Sequence, residues 1–206
     1  MIKERTGIVV LYVLYTVGGF CMFIPSLKPL VLPLSPLNLF LSFFILLNSY
    51  HWKKNIILGA TLVFFLGFIA EWIGVHTSFL FGHYWYGSTL GPKINGIPLI
   101  IGINWAMLTI CSVGLSSKVT KSPLLQALLT GLIMTATDWI MEPVAMKNDY
   151  WHWKDGIIPT YNYICWFGLA TLAGWLINLR GKPHLNKTSL VLFILINLFF
   201  IIQLFN

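Results

Sequence analysis

Charge is scarce in this chain. Only 9% of its 206 residues are charged, against about 25% in an ordinary soluble domain. Acids are scarcest, with six Asp and Glu against thirteen Lys and Arg. That balance excludes a soluble globular protein and points to an integral membrane protein; 57% hydrophobic residues and a mean hydropathy of +0.80 agree. Cysteine is also rare. Cys21, Cys111 and Cys165 are odd in number and lack metal-ligand spacing, so they read as apolar packing residues and exclude a disulfide framework. No phosphate-binding glycine loop follows a strand, and no nucleic-acid motif is present. The last apolar run, SLVLFILINLFFIIQLFN, has no lysine, which excludes a Schiff-base chromophore there. Outside the stretch TATDWIMEPVAM the only aspartates are Asp149 and Asp155, too few to hold a magnesium diphosphate. There is no HExxH and no repeated histidine cluster, so no metal is expected.

What the chain has instead is apolar length. A membrane span takes about 20 mostly apolar residues. Seven stretches qualify, near 7–24, 31–50, 55–75, 97–115, 123–142, 160–179 and 189–205. The first follows MIKERTG but lacks a small-residue cleavage site, and reads as a retained span. The second carries Pro33 and Pro36, which predicts a kink or a late start. No linker, repeat or low-complexity tract divides the chain. The expected architecture is one all-α bundle over residues 1–206, a polytopic membrane protein of about seven helices.

Basic residues set the expected orientation. With the N-terminus inside, the inner segments hold nine Lys and Arg: Lys3, Arg5, Lys53, Lys54, Lys118, Lys121, Arg180, Lys182 and Lys187. The outer segments hold four, Lys28, Lys93, Lys147 and Lys154. The bias predicts a cytoplasmic N-terminus and makes the net charge of +7 a topology signal facing anionic lipid.

The few acids then stand out. Asp138 and Glu142 lie inside an apolar run, immediately before Pro143, and Glu71 ends the third span. In the predicted topology all three sit near the outer end. At i and i+4, Asp138 and Glu142 share a helix face. Mutual repulsion, burial and a helix C-terminus all oppose two full charges there. The expected resting state is a carboxyl pair sharing one proton. Intramembrane ionisable residues mark functional sites; the bland alternative is an interfacial acid pair, solvated or bonded to Lys147 or to Trp N–H groups.

Aromatic residues crowd the same side. Trp72, Tyr84, Trp85, Tyr86, Trp139, Tyr150, Trp151, Trp153, Tyr161, Tyr163 and Trp166 all fall there, most in or beside loops 76–98 and 145–163. An interfacial aromatic belt explains some of them, but not their one-sidedness. Ring faces can hold a developing cation. An acid beside such rings suits protonation of a carbon–carbon double bond in a substrate dissolved in the bilayer. Glycines and prolines between residues 82 and 98 suggest a tightly turned cap on the bundle.

Four segments in order carry a resemblance: EWIGVHTSFLFGHYWYG, NGIPLIIGINW, DWIMEPVA and YWHWKDGIIPTYNYICWF. Over roughly residues 68–170 the chain resembles the carotenoid biosynthesis membrane proteins. That family includes carotenoid 1,2-hydratases, among them bisanhydrobacterioruberin hydratase and γ-carotene 1′-hydratase. In the family's pattern an acid is followed, after three residues, by an acid and a proline; Asp138, Glu142 and Pro143 fill these places, with glutamate where aspartate is more frequent. Cys165 precedes Trp166 where the family pattern has glycine. The resemblance implies a multi-pass protein of the inner (plasma) membrane, with membrane lipid and a carotenoid as partners. It also implies addition of water to the terminal ψ-end double bond of an acyclic or monocyclic carotene, with no cofactor.

The residues and the resemblance meet on one expectation. Asp138 or Glu142 protonates the less substituted alkene carbon. Trp139, Trp151, Trp153 and Trp166 flank the resulting tertiary cation. Glu71 or the remaining carboxylate activates water, and His83, Tyr84, Tyr86, His152 and Asn162 position it. Two other classes stand beside this: a lycopene-cyclase-like isomerase that shares the protonation, and a carotenoid-binding protein without catalysis.

Overall fold

The structure is a computed structural model that describes residues 2–205. Among these residues seven longer helices account for the apolar runs: α1 Glu4–Met22, α2 Ser35–Ser49, α3 Lys54–Thr77, α4 Leu99–Val119, α5 Pro123–Lys147, α6 Thr160–Arg180 and α7 Lys187–Gln203. The second run starts late, as its prolines predict. Lys28–Val31 and Leu32–Leu34 form only short helical turns before α2 begins at Ser35.

Helix ends follow local chemistry. Ser122 caps α5 by accepting the Leu125 N–H at 3.5 Å, and Pro123 takes the first helical position, where its missing N–H costs nothing. Asn186 and Ser189 form a reciprocal capping box at the start of α7.

Five stretches, Glu4–Met22, Lys28–Ser49, Lys54–Thr77, Leu99–Val119 and Pro123–Lys147, are long and apolar enough to cross a membrane. α7 is a shorter apolar helix of 17 residues. α6 is long enough at 21 residues but carries Asn162, Asn178 and Arg180, and is not one of the five. Against the seven expected spans, the last two are therefore the weaker by length or by polarity.

α4 is the central helix. Fourteen of its 21 residues are buried, and it packs against α3, α5, α6, α7 and α2. α1 buries only four of 19, and turns Val9, Val13, Val17 and Phe20 outward. An apolar outward stripe of this kind suits lipid. Small residues bring helices together: a β-carbon on Gly131 would overlap Thr171, and one on Gly174 would crowd Thr130. These two contacts seat α5 against α6, the most extensive helix pair in the fold.

The difference from an all-helical chain lies at one end of the bundle. β1 Tyr84–Tyr86 pairs antiparallel with β4 Trp151–Trp153, in the register Tyr84 with Trp153, Trp85 with His152 and Tyr86 with Trp151. A smaller ribbon joins β2 Lys93–Ile94 to β3 Ile97–Pro98. The β1–β4 ribbon lies across the C-terminal ends of α3 and α5, and it supplies the cap that the glycine-rich segment suggests. We refer to this end as the loop end.

Candidate functional site

Under the ribbon lies a cavity of about 30 Å³ lined by Glu71, Asp138 and Glu142 together. Three helices deliver its carboxyls and the amide that bridges two of them: α3 carries Glu71 six residues before its end at Thr77, α5 carries the acid pair, and α6 brings Asn162 in its first turn. All three carboxyl side chains are buried, each at most 4% exposed. The volume holds about one water molecule. The lining contains no basic side chain.

Each carboxyl has a distinct set of partners. Glu71 accepts three hydrogen bonds: the Tyr84 and Tyr86 hydroxyls donate to Oε2 at 2.6 and 2.7 Å, and the Trp105 indole N–H donates to Oε1 at 3.0 Å. Glu142 also accepts three. Trp151 and Trp153 donate their indole N–H groups to Oε2 at 2.8 and 2.6 Å, and the Asn162 amide reaches Oε1 at 3.1 Å. The same Asn162 nitrogen donates its other hydrogen to Asp138 Oδ2 at 2.8 Å. Asp138 Oδ1 is buried and meets no hydrogen-bond partner. An amide nitrogen has two hydrogens, so both N–H donors of Asn162 are used in bridging the pair.

This accounting separates the three acids. An ionised carboxylate only accepts hydrogen bonds, whereas a protonated one also has an O–H to donate. Glu71 and Glu142 are surrounded by donors, which suits two carboxylates. Asp138, with one donor and one bare oxygen, is the member of the pair best suited to carry the shared proton. Its O–H would meet no acceptor in the resting protein. The bonds from Trp N–H groups that the bland reading allowed are present, but in a buried cavity rather than at a wetted helix end.

The ribbon decides which loop residues take part. Side chains alternate across a strand, so Tyr84, Tyr86, Trp151 and Trp153 face the cavity while Trp85 and His152 face away. Burial and the adjacent Glu71 hold the Tyr84 and Tyr86 hydroxyls well above the ordinary tyrosine range, so both remain donors at any working pH. On the outer side, His152 Nε2 lies 2.7 Å from Asp149 Oδ1, while the Ser88 N–H and hydroxyl donate to Asp149 Oδ2 at 2.8 and 2.6 Å. That hydrogen-bond set holds the Asp149 carboxyl down at about 2. A β-carbon on Gly87 would overlap the Asp149 carbonyl, so the ribbon closes this tightly only with glycine there.

Of the expected site residues, Glu71, Asp138, Glu142, Tyr84, Tyr86, Trp151, Trp153, Asn162 and Trp166 line the cavity. Three do not. Trp139 follows Asp138 in sequence but sits 100° further round α5; it is 68% exposed, on the same outward stripe as Leu132. His83 lies before β1 and pairs with Ser78 at 3.2 Å. His152 is turned outward by the strand alternation, onto Asp149.

The cavity also contains residues that sequence reasoning passed over. Trp105 stacks on Trp166 with ring centroids 4.3 Å apart and planes 11° from parallel. Phe81, Ile101, Asn104 and Met141 complete the wall. Trp105 and Asn104 stand in the quoted motif NGIPLIIGINW, and that was the available signal for them. Phe81 is pinned by its own N–H, which donates to the Cys165 sulfur at 3.3 Å. Cys165 thus has a partner in the cap.

A family model described as "Carotenoid biosynthesis protein" matches residues 30–206. No curated protein and no solved structure matches the chain.

Proposed function

Because the chain belongs to the carotenoid biosynthesis protein family, we propose that it is a carotenoid hydratase. It adds water across the terminal ψ-end double bond of an acyclic or monocyclic carotene. The observation that carries this reading is Asp138 Oδ1, a buried carboxyl oxygen with no partner, in a cavity where two other carboxyls are supplied with donors.

The steps follow from the groups present. The terminal alkene has two methyl groups on one carbon and a hydrogen on the next. Asp138 gives its proton to the carbon that bears hydrogen, and the π electrons form the new C–H bond. The positive charge falls on the dimethyl carbon. Trp105, Trp151, Trp153 and Trp166 line the cavity, and ring faces stabilise cations at close range. Water bonds to the cation through oxygen, and its surplus proton passes to Glu71 or Glu142 as general base. Return of that proton to Asp138 restores the starting state. The net change is one water added, with nothing oxidised or reduced.

Protonating an alkene is the hard step, because an alkene is a very weak base. The site supports it in two ways. The Asp138 proton has no acceptor in the resting protein, so no hydrogen bond has to break as it moves to the alkene. Carboxylates already fixed by tyrosine and tryptophan donors need no reorganisation to face a new positive charge. The cavity volume suits one nucleophilic water and excludes bulk solvent, which limits side reactions of the cation.

Expression in cells that make lycopene or γ-carotene, followed by mass analysis of the pigments, tests the reading. A product heavier by one water supports it. A new pigment of unchanged mass indicates cyclisation, and retained but unaltered pigment indicates binding without catalysis; either result overturns the hydratase.

A further inference from the structure

The carboxyl cavity is water-sized and lies beneath the ribbon, yet a hydratase of this kind must admit the end of a long polyene. We propose that the polyene reaches the carboxyls sideways from the lipid, through a groove between α1 and α2. The proposal rests on the hydratase reading for its substrate class, and on a chain of three adjoining spaces for its route.

The outermost space is an apolar groove of about 250 Å³ that includes Val13, Val17 and Gly18 of α1 and Leu34 and Leu37 beside and on α2. Val13 and Val17 are each 54% exposed, so the groove opens on the surface that faces lipid. Its inner wall includes Ser35, Asn38, Tyr150 and Phe199. Those four residues are also walls of a second space, of about 70 Å³. The second space in turn shares Ile101, Asn104, Met141 and Trp151 with the carboxyl cavity. The three spaces therefore adjoin in series through shared walls.

The dividing side chains are suited to move. Tyr150 and Ser35 close the first partition with one hydroxyl–hydroxyl hydrogen bond of 3.0 Å. At the second partition, Met141 has a flexible unbranched side chain that repacks readily. Asn104 makes no side-chain hydrogen bond to another described residue, so turning it aside breaks none. The walls are mostly apolar until Asn104, where the polar cavity begins. A rod-like hydrocarbon with one reactive end matches that order: its chain lies in the groove and its end passes Met141 toward Asp138. A lipid acyl chain would match the groove but offers nothing to the carboxyls.

A second groove, of about 280 Å³, also opens on α1, on its α7 side, and includes Gly19 and Phe20. Adjacent glycines therefore face different grooves. No atom lies within 4 Å of a β-carbon at Gly18, and one at Gly19 meets only the Phe199 ring at 3.5 Å. Gly18→Trp should plug the proposed route and Gly19→Trp the other. Leu37→Trp plugs the proposed groove from the opposite wall and serves if Gly18→Trp does not accumulate in the membrane.

The full-length protein and these variants are expressed in lycopene-producing cells and purified in detergent. Two quantities are read: lycopene retained per protein, by absorbance, and conversion to the hydrated pigment, by mass. The expected result is a loss of at least tenfold in both with Gly18→Trp or Leu37→Trp, and little change with Gly19→Trp. If the plugged variants retain and convert lycopene as the unaltered protein does, the route is wrong while the hydratase stands. If the unaltered protein never hydrates but the plugs still abolish retention, the groove stands and the hydratase falls. Equal losses from both plugs, or phospholipid retained in place of lycopene, overturn the route.

Discussion

Trp105 lies directly against the backbone of Gly67, so closely that a β-carbon at Gly67 would overlap the indole ring. That contact lets α4 press its tryptophan onto α3, where the indole N–H reaches Glu71 four residues further along. Gly67→Ala should therefore cost about 1–3 kcal/mol through overpacking, despite alanine's better helix propensity. Gly168→Ala, with open space around it, should be neutral or slightly stabilising. Thermal unfolding in detergent compares the two. An unchanged Gly67→Ala midpoint would mean that the helices are not in this contact.

The two acids of the pair should respond differently to amide replacement. In Asp138→Asn the amide carbonyl can still accept from Asn162, and its NH₂ stands where the carboxyl O–H would be. Stability should hold while hydration falls by about 100- to 10,000-fold, the usual worth of a general acid. In Glu142→Gln an NH₂ group must face donors from Trp151, Trp153 or Asn162. That variant should lose about 1–3 kcal/mol of stability as well as activity. Pigment mass analysis and unfolding midpoints, measured on the same preparations, separate the two effects. Undiminished hydration by Asp138→Asn would remove it as proton donor.

Trp139 and Trp153 make a second contrast. Trp153→Phe removes a 2.6 Å hydrogen bond to Glu142. A bond to a charged group contributes about 1.5–3 kcal/mol, so both midpoint and turnover should drop. Trp139→Phe changes an outward ring and should stay within about 0.5 kcal/mol of the parent. A large effect from Trp139→Phe would place that ring in the chemistry after all.

Acid should loosen the cap. The Asp149 carboxyl is held down at about 2, below its unfolded value of about 3.9. Its contribution is therefore present above about pH 4 and fades as pH falls toward 2. Asp149 is partly exposed, so solvent screening keeps the effect small. The expected result is a modestly higher midpoint for the parent than for Asp149→Asn at neutral pH, with the two converging near pH 2. A gap that persists at pH 2 would assign the effect to something other than this ionisation.

What the sequence made legible follows from the range of each signal. Apolar runs report helices directly, and all seven runs became helices. The i, i+4 spacing of Asp138 and Glu142 put them on one face whatever surrounds them. Glu71 was legible by its depth in α3 alone. Trp105 was not, because nothing in an apolar helix distinguishes a core tryptophan from a hydrogen-bond donor to an acid 34 residues away; the α3–α4 contact at Gly67 decides that. Trp139 falls outside the cavity because adjacency in sequence is a 100° step on a helix. His83 and His152 also fall outside it, and the ribbon's alternation, which turns His152 outward, was not legible in the sequence. YWY and WHW are strand-like only when they find each other, across more than sixty residues.

The absence of a basic side chain from the cavity wall has a pharmacological corollary. Two anions without a fixed counter-ion favour a positive visitor, and in the proposed cycle that visitor exists only fleetingly. A lipophilic tertiary amine shaped like the isoprenoid terminus, protonated at neutral pH, would carry a lasting positive charge at the same spot. Such a compound should block hydration far more strongly than its neutral hydrocarbon twin, as mimics of a fleeting species do, and the alcohol product, uncharged again, should leave without hindrance.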